Sequence, residues 1–138
     1  MIVVAIIGTL AAMAIPAFSR MIERTKVLRA VSDIKAISMD IEMYEMEHGQ
    51  VPDSLADIGR DHMRDPWGNP YEYFSFATEK NWKGKARKDH SMVPVNSTYD
   101  LYSRGRNGRS ASPLPSGPGS DDIVRAHDGG FVGLASEF

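Results

Sequence analysis

The sequence predicts an α+β fold: one long N-terminal helix followed by a head built on two to three short strands. Three observations predict it. Met1–Phe18 is an uncharged apolar run. Val27, Val31, Ile34, Ile37 and Ile41 then recur at spacings of three and four, the mark of one buried helix face. After Pro52 the chain changes to short aromatic or alternating segments separated by turn formers. The expected division is an apolar rod over 1–19, an amphipathic continuation of the same helix over 20–48, and a head over 49–138 with long loops at 77–97 and 105–120.

The rod comes first. As a helix, Met1–Phe18 spans roughly 27 Å, close to the ~30 Å hydrocarbon core of a bilayer. A secretory signal fits poorly: Ala12-Met13-Ala14 resembles a cleavage site, but no basic residue precedes the apolar run. A buried core helix fits poorly because the stretch has no polar face. A membrane segment continuous with a long helix is favoured. Pro16 forfeits the bond to the Ala12 carbonyl, and Gly8 costs about 1 kcal/mol relative to Ala. Gly8–Pro16 is therefore the weakest stretch, open to two readings: a simple kink, or a segment that unwinds.

The helix continues to about His48. Gly49 suits the position after a helix end, and Pro52 forbids continuation. Charge is sorted along it. Arg20, Arg24, Lys26, Arg29 and Lys35 outnumber Glu23 and Asp33, whereas Asp40, Glu42, Glu45 and Glu47 stand without a base. Acids near a helix C-terminus oppose its dipole. Either this is a solvated face, or the acidic end meets the basic section of a staggered neighbour.

In the head, Asp53 or Ser54 can cap a short helix that Gly59 stops. Asp65-Pro66-Trp67-Gly68-Asn69-Pro70 is dense in turn formers. Tyr71–Phe76 and Tyr99–Ser103 read as strands, and Asp121–Val124 with Phe131-Val132 as a short third strand or extended edge. The lysine-rich 77–96 stretch reads as exposed loop, and Gly105–Ser120 as a Gly/Ser/Pro loop.

Composition excludes several classes of function. Sixteen Lys and Arg against 18 Asp and Glu leave no basic excess for nucleic acid. With no cysteine, disulfides, zinc–thiolate sites and Cys nucleophiles are excluded. An exported domain of this size without disulfides gives a bound metal ion a structural use. His48, His62, His90 and His127 are scattered without ligand spacing, so no enzyme is expected. Asn96-Ser97-Thr98 matches a glycosylation sequon but equally reads as a turn.

Val3-Val4-Ala5-Ile6-Ile7-Gly8-Thr9-Leu10-Ala11-Ala12-Met13-Ala14-Ile15-Pro16 resembles the N-terminal helix of type IV pilins and pseudopilins. Asp65–Tyr73, Tyr99–Gly108 and Ser120–Ile123 resemble the major ("G" class) pseudopilin of type II secretion, the Asp-Pro-Trp-Gly-Asn-Pro block being the more specific. The resemblance implies a pilin-like lollipop, its stem kinked or unwound near Gly8–Pro16 and its lower helix packed on a small antiparallel sheet. It implies a filament core or membrane segment made by Ile2, Val3, Val4, Ile6, Ile7, Gly8, Leu10, Met13, Ile15, Pro16 and Phe18. In the filament, Arg24 and Arg29 would face Glu45 and Glu47 of a neighbour.

The same resemblance implies a calcium ion (Ca2+) on the Arg104 carbonyl, Asn107, Asp121 and Asp122, although Asn107 stands where an aspartate is usual and the C-terminal tail differs. The alternative is that Asp121 and Asp122 are plain loop acids. Processed members of the family begin with Phe or Met followed shortly by Thr-Leu-Ile-Glu, so the resemblance places the prepilin-peptidase site, the methylated N-terminal residue and an insertion-aiding glutamate ahead of Met1, and a truncated N-terminus is expected. The implied partners are further copies, minor pilins or pseudopilins and an inner-membrane assembly platform. The implied location is the inner membrane, then a periplasmic or extracellular filament of a bacterium. The expected function is a structural filament subunit that drives type II secretion. The alternatives are a pilus subunit for adhesion or motility, or a membrane-anchored periplasmic binding module that never polymerises.

Overall fold

The computed structural model describes residues 1–138. Helix α1 (Ile2–His48) runs 47 residues, about 70 Å at ~1.5 Å per residue. It ends as its sequence requires: Gly49 adopts φ 76°, and its N–H donates to the Glu45 carbonyl. The helix continues through Gly8 and Pro16 without interruption. The unassembled chain is therefore not unwound there. Proline forfeits one hydrogen bond, and a single missing bond does not end a helix supported by full turns on both sides. Thr9 and Ser19 add side-chain bonds to the Ile6 and Ile15 carbonyls nearby.

The head carries four antiparallel strands rather than two or three. They are β1 (Glu72–Ser75), β2 (Tyr99–Ser103), β3 (Ile123–Ala126) and β4 (Phe131–Leu134), in the order β1-β2-β3-β4. The expected third strand is in fact a hairpin. Val124 pairs with Gly133 and Ala126 with Phe131, and the turn between them places His127 and Asp128 at positive φ. Gly129 follows at φ 95°, and Asp128-Gly129-Gly130 is the local turn signal between the two strands; His127 and Asp128 are the uncommon non-glycine residues in that region.

Alternation sorts the sheet into two faces. Tyr99, Leu101 and Ile123 meet Ala30, Ile34, Ile37 and Ile41 of α1, with Val51, Leu55 and Tyr71 closing the core. On the far face Val124 and Ala126 pack with Val95, Leu114 and Ala135. All four residues of β3 are buried as a result. The 77–97 segment is consequently not exposed throughout: it contains a one-turn helix, Trp82–Lys85, and buries Ala86, Arg87, Val95 and Asn96. It and the 105–120 loop exchange backbone bonds, Lys88 N–H to the Ser112 carbonyl at 3.1 Å and Leu114 N–H to the Lys88 carbonyl at 2.9 Å. The two loops thus form a second layer over the sheet, through pairings that local composition cannot reveal.

Candidate functional site

Two regions bear on function: the stem, and the loop layer behind the sheet. Every residue from Met1 to Ile22 is exposed, including all eleven of the predicted core residues from Ile2 to Phe18. The head covers α1 only from about Glu23 onward. Three acids of the helix fasten the head to it. Trp67 Nε1–H donates to Glu23 Oε1 at 2.9 Å, Tyr71 O–H to Asp33 Oδ2 at 2.8 Å, and Arg60 Nε–H to Asp40 Oδ2 at 2.6 Å. Burial and the Asp33 hydrogen bond push the Tyr71 hydroxyl well above its usual range, so it stays a donor.

These three tethers sharpen the charge pattern. Glu23 and Asp33, the acids of the basic section, are drawn toward the head, leaving Arg20, Arg24, Arg29 and Lys35 exposed. Arg29 Nε lies 4.0 Å from Asp33 Oδ2, at the limit of an ion pair, with its side chain 70% exposed. At the lower end Glu42, Glu45 and Glu47 stand exposed. The four residues expected to make charge contacts between copies all lie on the surface of one continuous helix.

The Asp-Pro-Trp-Gly-Asn-Pro block is a locked turn. Asp65 Oδ1 accepts from the N–H groups of Trp67 and Asn69 at 3.0 and 2.8 Å, and Oδ2 accepts from Ser103 Oγ at 2.6 Å. Asn69 Nδ2 donates to the Gly105 carbonyl at 3.2 Å. One turn therefore joins the start of the sheet to the end of β2, and through Trp67 to α1. Sequence reasoning finds the turn but not these partners, which lie 36 to 44 positions away.

The residues assigned to calcium are brought together only in part. Arg104, whose carbonyl is the expected ligand, pairs its guanidinium with Glu72, 2.7 Å away. Asp121 accepts from the Asn107 backbone N–H at 2.9 Å and also from its side-chain amide, and Asn107 Oδ1 accepts from Arg109 N–H at 2.6 Å. Asp122 is fully buried, with Oδ2 2.9 Å from Arg87 Nη2 and bonded to Ser110 Oγ. Burial pushes its carboxyl up to about 6, against the pull of Ser110 and Arg87.

Of these side-chain oxygens only Asp122 Oδ1 is left without a partner. Calcium takes six to eight oxygens, and a guanidinium already faces the one buried carboxylate. As arranged, the side chains of this set do not fit the ion. Arg87 and Ser110 are the partners of Asp122 that sequence reasoning missed, since one arginine among the lysines of 80–88 carries no distinguishing signal. Asn96, of the sequon, is buried, and its amide is spent on Asp100 and the Arg125 carbonyl, each at 2.9 Å.

Comparison with known proteins gives two relatives. The chain is 29% identical over 130 residues to the type II secretion system core protein G of Pseudomonas aeruginosa, a match covering 79% of this chain and 80% of that protein. It is 28% identical over 98 residues to the protein of the same name from Aeromonas hydrophila, covering 54% of this chain and 67% of the relative. No family model and no solved structure matches.

Proposed function

We propose that this chain, a pilin-like structural subunit of the major-pseudopilin kind, is the repeating unit of a helical filament that drives type II protein secretion. The bare stem carries the reading. Nine large apolar side chains between Ile2 and Phe18 are exposed, and fully burying one is worth ~1.5–3 kcal/mol. Their sum, on the order of 20 kcal/mol, exceeds the ~5–15 kcal/mol that keeps a typical domain folded. Water is not a tolerable surrounding. Lipid covers the stem of a single subunit, and neighbouring stems cover it in an assembly.

On this reading the stem waits in the bacterial inner membrane with the head on the periplasmic side. It then leaves lipid for the filament centre, and repeated additions push exported proteins outward. The partners are further copies, minor pseudopilins, an inner-membrane platform and a prepilin peptidase. The role is structural rather than enzymatic. Likeness to two secretion-system core proteins supports secretion over a surface pilus.

Electron microscopy of the overproduced full chain tests assembly. Filaments are expected from the wild type and none from Ile7→Lys, which places a charge in the stem without touching the head. A wild type that stays dispersed and monomeric in detergent-free buffer overturns the reading. Deleting the gene tests the destination: lost protein export supports secretion, and intact export with lost adhesion overturns it.

A further inference from the structure

The 105–120 loop has little apolar burial and no covalent cross-link to hold it. It is rich in Gly, Ser and Pro, the chain has no cysteine, and Leu114 is its one large, fully buried apolar residue. Yet it packs Leu114 against Val124 and Ala126 on the far face of the sheet. The group at its centre is Arg87, 4% exposed. Its guanidinium stacks on the Tyr102 ring, 3.6 Å from the centroid. Nη1 donates to the Ala111 carbonyl, and Nη2 to Ser110 Oγ and, at 2.9 Å, to Asp122 Oδ2. The Arg87 backbone N–H donates to Asp100 Oδ2 at 2.7 Å, which anchors the residue to β2.

A carboxylate, a hydroxyl and a backbone carbonyl converging on one buried positive charge are the donor types that a hard cation collects. Here the charge belongs to the protein. We propose that Arg87 is the resident cation of this head: it clamps the 105–120 loop to the sheet, and the head needs no calcium. This proposal stands apart from the filament reading and survives its failure. Arginine suits the task. It is always charged, and its planar fork reaches several oxygens at fixed angles while its face rests on an aromatic ring. A calcium ion drawn to Asp121 and Asp122 would instead meet a like charge at close range.

The test is thermal unfolding of the full chain in detergent micelles, followed by tryptophan fluorescence, with millimolar calcium or with a calcium chelator. The wild type is expected to melt at the same temperature in both. Arg87→Gln is expected to melt about 5–10 °C lower. Arg87→Lys is expected to recover less than half of that loss, because an ammonium cannot span three oxygens or stack. A wild-type melting point that falls with chelator overturns the proposal, as does calcium binding by titration calorimetry or an Arg87→Gln melt equal to the wild type. If Arg87→Gln is not recovered folded, Ser110→Ala is read in its place. It must melt lower and open the 105–120 loop to protease, equally with and without calcium, and an unchanged melt overturns the proposal.

Discussion

At the scale of the residue, a few positions hold the head in one arrangement, and Gly105 is the plainest. It sits at φ +60°, and a Cβ placed there would lie 2.0 Å from the Asp121 carbonyl oxygen. No side-chain shift relieves a clash with backbone. Gly105→Ala is therefore expected to cost about 3 kcal/mol or more, from the strained φ and the forced separation of the 105–120 loop from Asp121. Gly117→Ala, where an added Cβ meets nothing within 4 Å, is expected to change stability by less than about 0.5 kcal/mol. Urea unfolding of the two variants in the same detergent checks the contrast, and equal costs would refute it. The glycine was visible in the sequence as part of a Tyr-Asp-Leu-Tyr-Ser-Arg-Gly run. Its reason was not, because the atom it makes room for lies far along the chain.

At the scale of the element, helix and strands differ in how much of their fate is local. The lower half of α1 announces its buried face through Ile34, Ile37 and Ile41, all fully buried. Helical periodicity alone selects that face, and β1 and β2 follow from aromatic alternation. The β3–β4 hairpin was only half legible: Gly129 and Gly130 mark a turn, but His127 and Asp128 also take positive φ there, and nothing in their side chains announces it. The loop layer was not legible at all: its order comes from Arg87, Asp122 and cross-loop backbone bonds, which no window of sequence contains. The legible stripe makes its own prediction. Ile37→Ala leaves helix propensity intact but opens a cavity between α1 and the sheet, and is expected to destabilise by about 3 kcal/mol. Met39→Ala, on the exposed face of the same turn, is expected to be near neutral in the unassembled chain. Similar losses at both positions in thermal unfolding would mean that the helix docks by a different face.

At the scale of the whole molecule, the head turns the helix into a device with two unlike ends. By engaging Glu23, Asp33 and Asp40 it removes acids from the outer surface of the basic section and one from the acidic end. What remains is a rod with Arg24 and Arg29 outward near its middle and Glu45 and Glu47 outward near its foot. Along the helix, Arg29 and Arg24 lie about 24 and about 32 Å from Glu45 at ~1.5 Å per residue. Two parallel copies offset by that distance bring opposite charges together, whereas copies in register oppose like with like. Charge alone thus favours a staggered, helical array over a flat bundle. Each exposed pair is worth only ~0.2–1 kcal/mol, too little to hold a subunit but enough, repeated along a filament, to select the stagger. Arg24→Glu or Arg29→Glu is therefore expected to reduce filament yield several-fold without lowering the melting point of the head. Glu45→Lys or Glu47→Lys added to either is expected to restore part of that yield. Filament counts by electron microscopy measure both effects. A reversal with no effect, or a loss that no partner substitution repairs, would mean that these side chains face only water and that the stagger is set by the apolar stems.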